Sequence, residues 1–123
     1  MKLSGYDYDM GWVLPLTVKR VWQNSDPLSA FDSQMVEVDL SEYNAICVVT
    51  RQNTTDDRRA WNFGFIGDTF VTVNKNAANA TLYGRLIEST PSSIVFGAAY
   101  AGSTAGTSNA IPIEVYGIKG IIV

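Results

Sequence analysis

Any chemistry performed by this chain would have to come from carboxylates. The sequence contains no histidine and a single cysteine, Cys47. Those two counts remove the commonest general base, the Ser-His and Cys-His nucleophile pairs, a thiolate zinc site and an intrachain disulfide. Cys47 lies within the apolar run AICVVT, which predicts a small buried hydrophobe rather than a reactive thiol. The glycine-containing stretch GSTAGTSN lacks the lysine and the following helix of a phosphate-binding loop. Glycoside hydrolysis needs two carboxylates about 5 to 10 Å apart, one of them with a raised pKa. The candidates are Asp56, Asp57, Glu88 and Glu114. Arg58 and Arg59 adjoin the first two and favour ionised, solvated acids. Glu88 and Glu114 fit wet-face or edge positions that discourage aberrant strand pairing. The expectation is no catalytic residue and no enzyme.

Asp7 and Asp9 flank Tyr8, but a calcium loop needs more spaced acids and a glycine at its turn. No metal and no cofactor is therefore expected. The sequons at Asn53 and Asn79 read as ordinary turn asparagines. Binding is the more credible role. Sugars present apolar ring faces and dense hydroxyls, so a site for them needs an aromatic platform beside acids, amides or guanidinium groups. The tip QNTTDDRR, carrying Asp56, Asp57, Arg58 and Arg59, leads directly into Trp61. Asn76, Asn79, Tyr83 and Arg85 supply the same residue types further on. These nine residues form the expected ligand-binding set. Against it, Trp61 shares a strand face with Phe63 and Phe65, a pattern that places all three in the core. Trp12 and Trp22 read as packing residues.

The elements that must position these residues are strands. Nothing sustains a helical period, and short alternating or apolar runs recur between turn signals. Thr17 to Gln23 reads as an early strand closed by Asn24 to Pro27. Between Ala30 and Leu40, Val36, Val38 and Leu40 face one way while Glu37 and Asp39 face the other. Ala45 to Thr50 is apolar without interruption, so it is buried on both sides. Trp61 to Phe65, Phe70 to Val73, Thr81 to Glu88 and Ile94 to Tyr100 follow, separated by turns at Gly67-Asp68, Asn74 to Asn79 and Thr90 to Ser92. A small-residue loop over 102–109 precedes the closing run from Ile111 to Val123. Pro112 belongs at that strand's start or at an edge, because it cannot donate to a ladder. Gly117 and Gly120 suggest bulges, close backbone approach or simple bends. The sum is one domain over residues 1–123, an antiparallel β-sandwich or jelly roll of about eight strands.

Composition agrees. A chain of 123 residues with 46% hydrophobic content buries roughly two-thirds of its unfolded surface and needs no disulfide. Only 17% of residues are charged, below the roughly 25% of an ordinary soluble domain. That leaves apolar surface for partner chains. A net charge of -3 argues against nucleic acid, which needs clustered Lys and Arg. No segment approaches the ~20 apolar residues of a membrane span, and the N-terminus lacks a signal-peptide core, so no membrane insertion is expected.

Two stretches carry a resemblance. VWQNSDPLSAFDSQMVEVDLSEYNAICV near the start, with SIVFGAAY and IPIEVYGIKGII near the end, resemble the C-terminal head domains of tail fibres and receptor-binding proteins of tailed bacteriophages and prophages. The Asp-Leu-Ser-x-Tyr and Tyr-Gly-Ile-Lys-Gly runs, in that order, give the likeness its specificity. The resemblance implies a β-sandwich or jelly-roll head that is non-catalytic and commonly trimeric. It would sit on the virion at a fibre or baseplate tip after assembly in the bacterial cytoplasm. Its partners would be a homotrimer's other copies, other tail proteins, and host surface polysaccharide or protein. With Met1 at the start and no shaft ahead of the head, an isolated domain or short separate protein is expected. Two other roles fit the same residues: a purely structural baseplate, neck or capsid-decoration protein, and a carbohydrate-binding module of a bacterial protein.

Overall fold

A computed structural model describes residues 16–120 together with the backbone of two short strands nearer the N-terminus. Those two, β1 (Gly5–Asp7) and β2 (Gly11–Val13), pair with each other as a hairpin. The expectations for Asp9 and for the side chains of Asp7 and Trp12 lie outside the described residues, as does the end of the closing run. Ten further strands follow: β3 (Thr17–Gln23), β4 (Gln34–Glu37), β5 (Ala45–Asn53), β6 (Arg59–Phe65), β7 (Thr69–Val71), β8 (Asn74–Lys75), β9 (Leu82–Thr90), β10 (Ser93–Ala101), β11 (Thr104–Ala105) and β12 (Asn109–Lys119). There is no helix among the described residues.

The ten strands form an all-β sandwich of two antiparallel sheets. One sheet runs β3-β12-β5-β6; the other has β10 and β9 at its centre, flanked by β4 and β11 on one side and β7 and β8 on the other. The count exceeds the expected eight because β8 and β11 are two-residue strands within segments that read as loops.

Alternation builds the core. In β5, Ile46 and Val48 point between the sheets, where they meet Leu40, Ile87, Ile94, Phe96, Ile111 and Val115. Ala45, Cys47 and Val49 point the other way into a second buried cluster with Ile113 and Ile118. The strand is thus buried on both faces, as its uninterrupted apolar run requires. Its burial continues through Arg51 and Gln52, so the tip is shorter than the sequence suggested and begins after Asn53. Val36, Val38 and Leu40 turn toward the core while Glu37 and Asp39 stay exposed, as the alternation predicts. Trp22 packs on Phe96 at 4.8 Å between ring centroids and edge-on to Phe31 at 6.0 Å. Its packing role holds.

Two details, at Pro112 and Glu114, differ from expectation. Pro112 lies inside the central strand β12, not at its start. The ladder with β5 shifts register between Pro112 and Glu114, and pairing with β3 runs only from Glu114 to Lys119, so no neighbour asks for its missing N–H. Glu114 is therefore central rather than at an edge, half-buried and 3.6 Å from Arg20. Gly117 marks a close approach within one chain: a Cβ there would come within 2.7 Å of the Tyr43 ring. Gly67, at φ +97, makes the turn that carries the chain from β6 in one sheet to β7 in the other.

Candidate functional site

The loop between β5 and β6 shapes itself. Asn53 Oδ1 accepts from the backbone N–H groups of Thr55 and Asp56 at 2.9 and 2.8 Å, the local bonding that makes asparagine a turn former. Asp56 then holds the far side. Its carboxylate accepts from the Arg58 backbone N–H at 3.0 Å and from Gln52 Nε2 at 3.1 Å, and lies 3.7 Å from Arg58 Nε.

The second tip, between β8 and β9, is fastened to the first. Arg58 Nη1 donates to Asn76 Oδ1 at 3.2 Å, and Asn74 Nδ2 donates to the Arg58 carbonyl at 2.8 Å. Asn76 Oδ1 also accepts from the Ala78 N–H, and its carbonyl accepts from the Ala80 N–H. Asn79 closes the turn by accepting from the Thr81 N–H at 3.0 Å. Tyr83 stands across the ladder from Asn74 and is half-buried. Of the nine expected site residues, the structure thus joins Asp56, Arg58 and Asn76 directly, with Tyr83 and Asn79 at their margin. Asp57 and Arg59 are exposed beside them.

Trp61 corrects the core assignment. Its side chain is 59% exposed, with Phe63 at 65% and Phe65 at 47%. The alternation was right and its sense was reversed: Asn62 and Gly64 point inward. Gly64 must lack a side chain because the Phe70 ring fills the space where a Cβ would sit. The aromatic row therefore lies on the outside of the first sheet, continuous with exposed Arg59.

Arg85 is removed from the set. It is completely buried. Its guanidinium donates to four carbonyls: Nε to Ala110 at 3.0 Å, Nη1 to Gly97 at 2.9 Å, and Nη2 to Phe31 at 2.9 Å and Asn109 at 3.1 Å. It also lies 5.3 Å over the Phe31 ring. Burial lowers its pKa to about 10, partly opposed by Asp32. With its donors turned to main-chain oxygens inside the sandwich, it cannot meet a ligand at the surface.

Two features escaped the sequence reading. An apolar pocket of about 260 Å³ opens beside β6, lined by Phe63, Phe65, Phe70, Ala45, Gly64 and Thr69 among others. A wider, polar groove of about 510 Å³ runs past Lys19, Arg20, Trp22, Glu37, Asp39 and Tyr43. Both need residues from strands distant in sequence, so no local motif announces them. No known protein family, characterised protein or solved structure matches this chain at a significant level.

Proposed function

We propose that this chain is a non-catalytic adhesion module: the head of a phage tail-fibre or baseplate protein that binds a host surface glycan or protein receptor as an oligomer. The observation that carries the reading is the exposed Trp61 ring on the strand that leaves the first polar tip, which Arg58 and Asn76 fasten to the second. An exposed indole offers a flat apolar face for a sugar ring. The neighbouring amides and guanidinium groups offer donors and acceptors for hydroxyls, on loops carried by a rigid β scaffold. The resemblance of the Asp-Leu-Ser-x-Tyr and Tyr-Gly-Ile-Lys-Gly runs to fibre heads supplies the biological setting. Several modest sites on one trimeric head would gain strength through effective concentration.

The test is adsorption to host cells and to purified wall polysaccharide, comparing wild type with Trp61→Ala, Asp57→Ala and Arg59→Ala. Loss in Trp61→Ala with intact folding supports the site; unchanged adsorption in all three removes it. A purely structural virion role draws on a different observation, the exposed Met35, Val71, Leu82 and Leu86 of the second sheet, which suit burial against another chain. Imaging that located the chain away from the host-facing tip would favour that role.

A further inference from the structure

Among the described residues, β6 ends the first sheet and pairs with β5 alone. Its hydrogen-bonding phase can be read from the bonds that flank the ladder. Gln52 N–H donates to the Arg58 carbonyl and Ile66 N–H donates to the Asn44 carbonyl. Both belong to one unbroken register in which Ala45 faces Phe65 and Arg51 faces Arg59. In an antiparallel pair, closely bonded rungs alternate with open ones. The even-numbered residues of β6 therefore bond to β5, and the N–H and C=O groups of Arg59, Trp61, Phe63 and Phe65 point away from the sheet. The Phe65 carbonyl is taken up by the Asp68 N–H. The remaining N–H groups of this set donate no further main-chain bond, and the remaining C=O groups accept none, among the described residues.

A bare edge of this kind is normally protected by lysine, proline, a bulge or brevity. The other edges are: β3 carries exposed Lys19 and Arg20, while β4, β7, β8 and β11 are four residues or fewer. The segment Arg59–Phe65 is seven residues long, contains no proline, lysine or acid, and pairs with β5 without a register shift. Its exposed side chains are aromatic.

We infer that β6 is a docking edge for β6 of a second copy, paired antiparallel about a two-fold axis through Asn62. The outward set is symmetric about that residue, which is the midpoint of the strand. Centred there, every outward residue finds a rung within the strand: Trp61 opposite Phe63 of the partner subunit, and Arg59 opposite Phe65 of the partner subunit. A register centred on Trp61 or Phe63 leaves rungs hanging past the strand end. The two central rungs exchange about four main-chain hydrogen bonds. Aromatic pairs directly opposite each other are among the favourable cross-strand combinations. Each Arg59 meets a ring rather than its own like charge, an arrangement open to cation–π attraction. The contact is isologous and closes on itself. Side chains stand perpendicular to the sheet, so the Trp61 and Phe63 rings stay uncovered and merge with those of the partner subunit into one aromatic platform. The pairing does not depend on glycan binding. By itself it makes a dimer; with the three-fold association proposed above it makes a dihedral hexamer.

The experiment is native mass measurement of the whole chain up to about 1 mM, with amide hydrogen exchange read at β6. The expected assembly holds an even number of copies, and the Trp61 and Phe63 amides become protected as concentration rises. Phe63→Pro deletes an N–H the β5 ladder does not use, so it should fold and halve the mass; Phe63→Leu should retain the assembly. A monomer or a trimer throughout would overturn the pairing, as would a folded, still-paired Phe63→Pro. If the proline variant does not fold, exchange in the wild type decides: unprotected Trp61 and Phe63 amides in concentrated protein end the proposal. Adsorption is measured separately, so failure of the glycan site and failure of the edge contact are distinguishable.

Discussion

Arg85 and Arg58 both donate to uncharged oxygens, one inside the sandwich and one at its tips. Arg85 is fully enclosed and ties the β9 backbone to Phe31, Gly97 and the start of β12. Arg58 has a half-exposed side chain and joins two turns through one amide. The difference lies in what water could replace. Water can take over the Arg58 bond at little cost. Arg85 has no exposed surface, its bonds to Ala110 and Phe31 are buried, and each unpaired buried acceptor costs about 1 to 3 kcal/mol. The enclosed corner therefore governs folding, while the tips and the β6 edge remain available for partners.

The largest effect is expected from Arg85→Met. It keeps the apolar stem and strands the carbonyls, so a loss of at least about 3 kcal/mol is expected in chemical denaturation. A loss below about 1 kcal/mol would mean the corner relaxes or admits water. Next comes Gly117→Ala, whose new methyl would press on the Tyr43 ring; overpacking of this kind costs about 1 to 3 kcal/mol. Trp61→Ala should change stability by less than about 1 kcal/mol while adsorption falls, since exposed positions contribute little to folding. Equal loss of both would return Trp61 to a structural role. The smallest effect is at Asp39, an exposed acid whose pKa is held below 3.8 by the Ser41 hydroxyl and backbone N–H. A depressed carboxylate stabilises the fold above its unfolded value and ceases to as pH falls through the folded one. An NMR titration should find Asp39 below 3.8, and Ser41→Ala should move it back toward that value.

How much of this could be read from the chain depends on whether two faces differ. Val36, Val38 and Leu40 alternate with acids, so their sense was unambiguous, and Ala45 to Thr50 left no wet face to choose. Trp61, Phe63 and Phe65 alternate with Asn62, Gly64 and Ile66, and apolar character alone sent the wrong side inward. What decides is Gly64: the Phe70 ring, which belongs to the other sheet, needs its space, and that neighbour is invisible locally. Arg85 was legible in hindsight. It shares its strand face with Ile87 and Ser89, both buried, and that periodicity outweighed its charge. The grooves, by contrast, bring together strands far apart in sequence and have no local signature.

One consequence follows from the single cysteine. Cys47 sits in β5 directly across from Phe63, buried, with its thiol pKa raised by that burial and by nearby Glu114. Its side chain lies on the outer face of the first sheet with Ala45, Val49, Ile113 and Ile118, so labelling by a thiol reagent would report when that buried cluster opens, without any engineered probe.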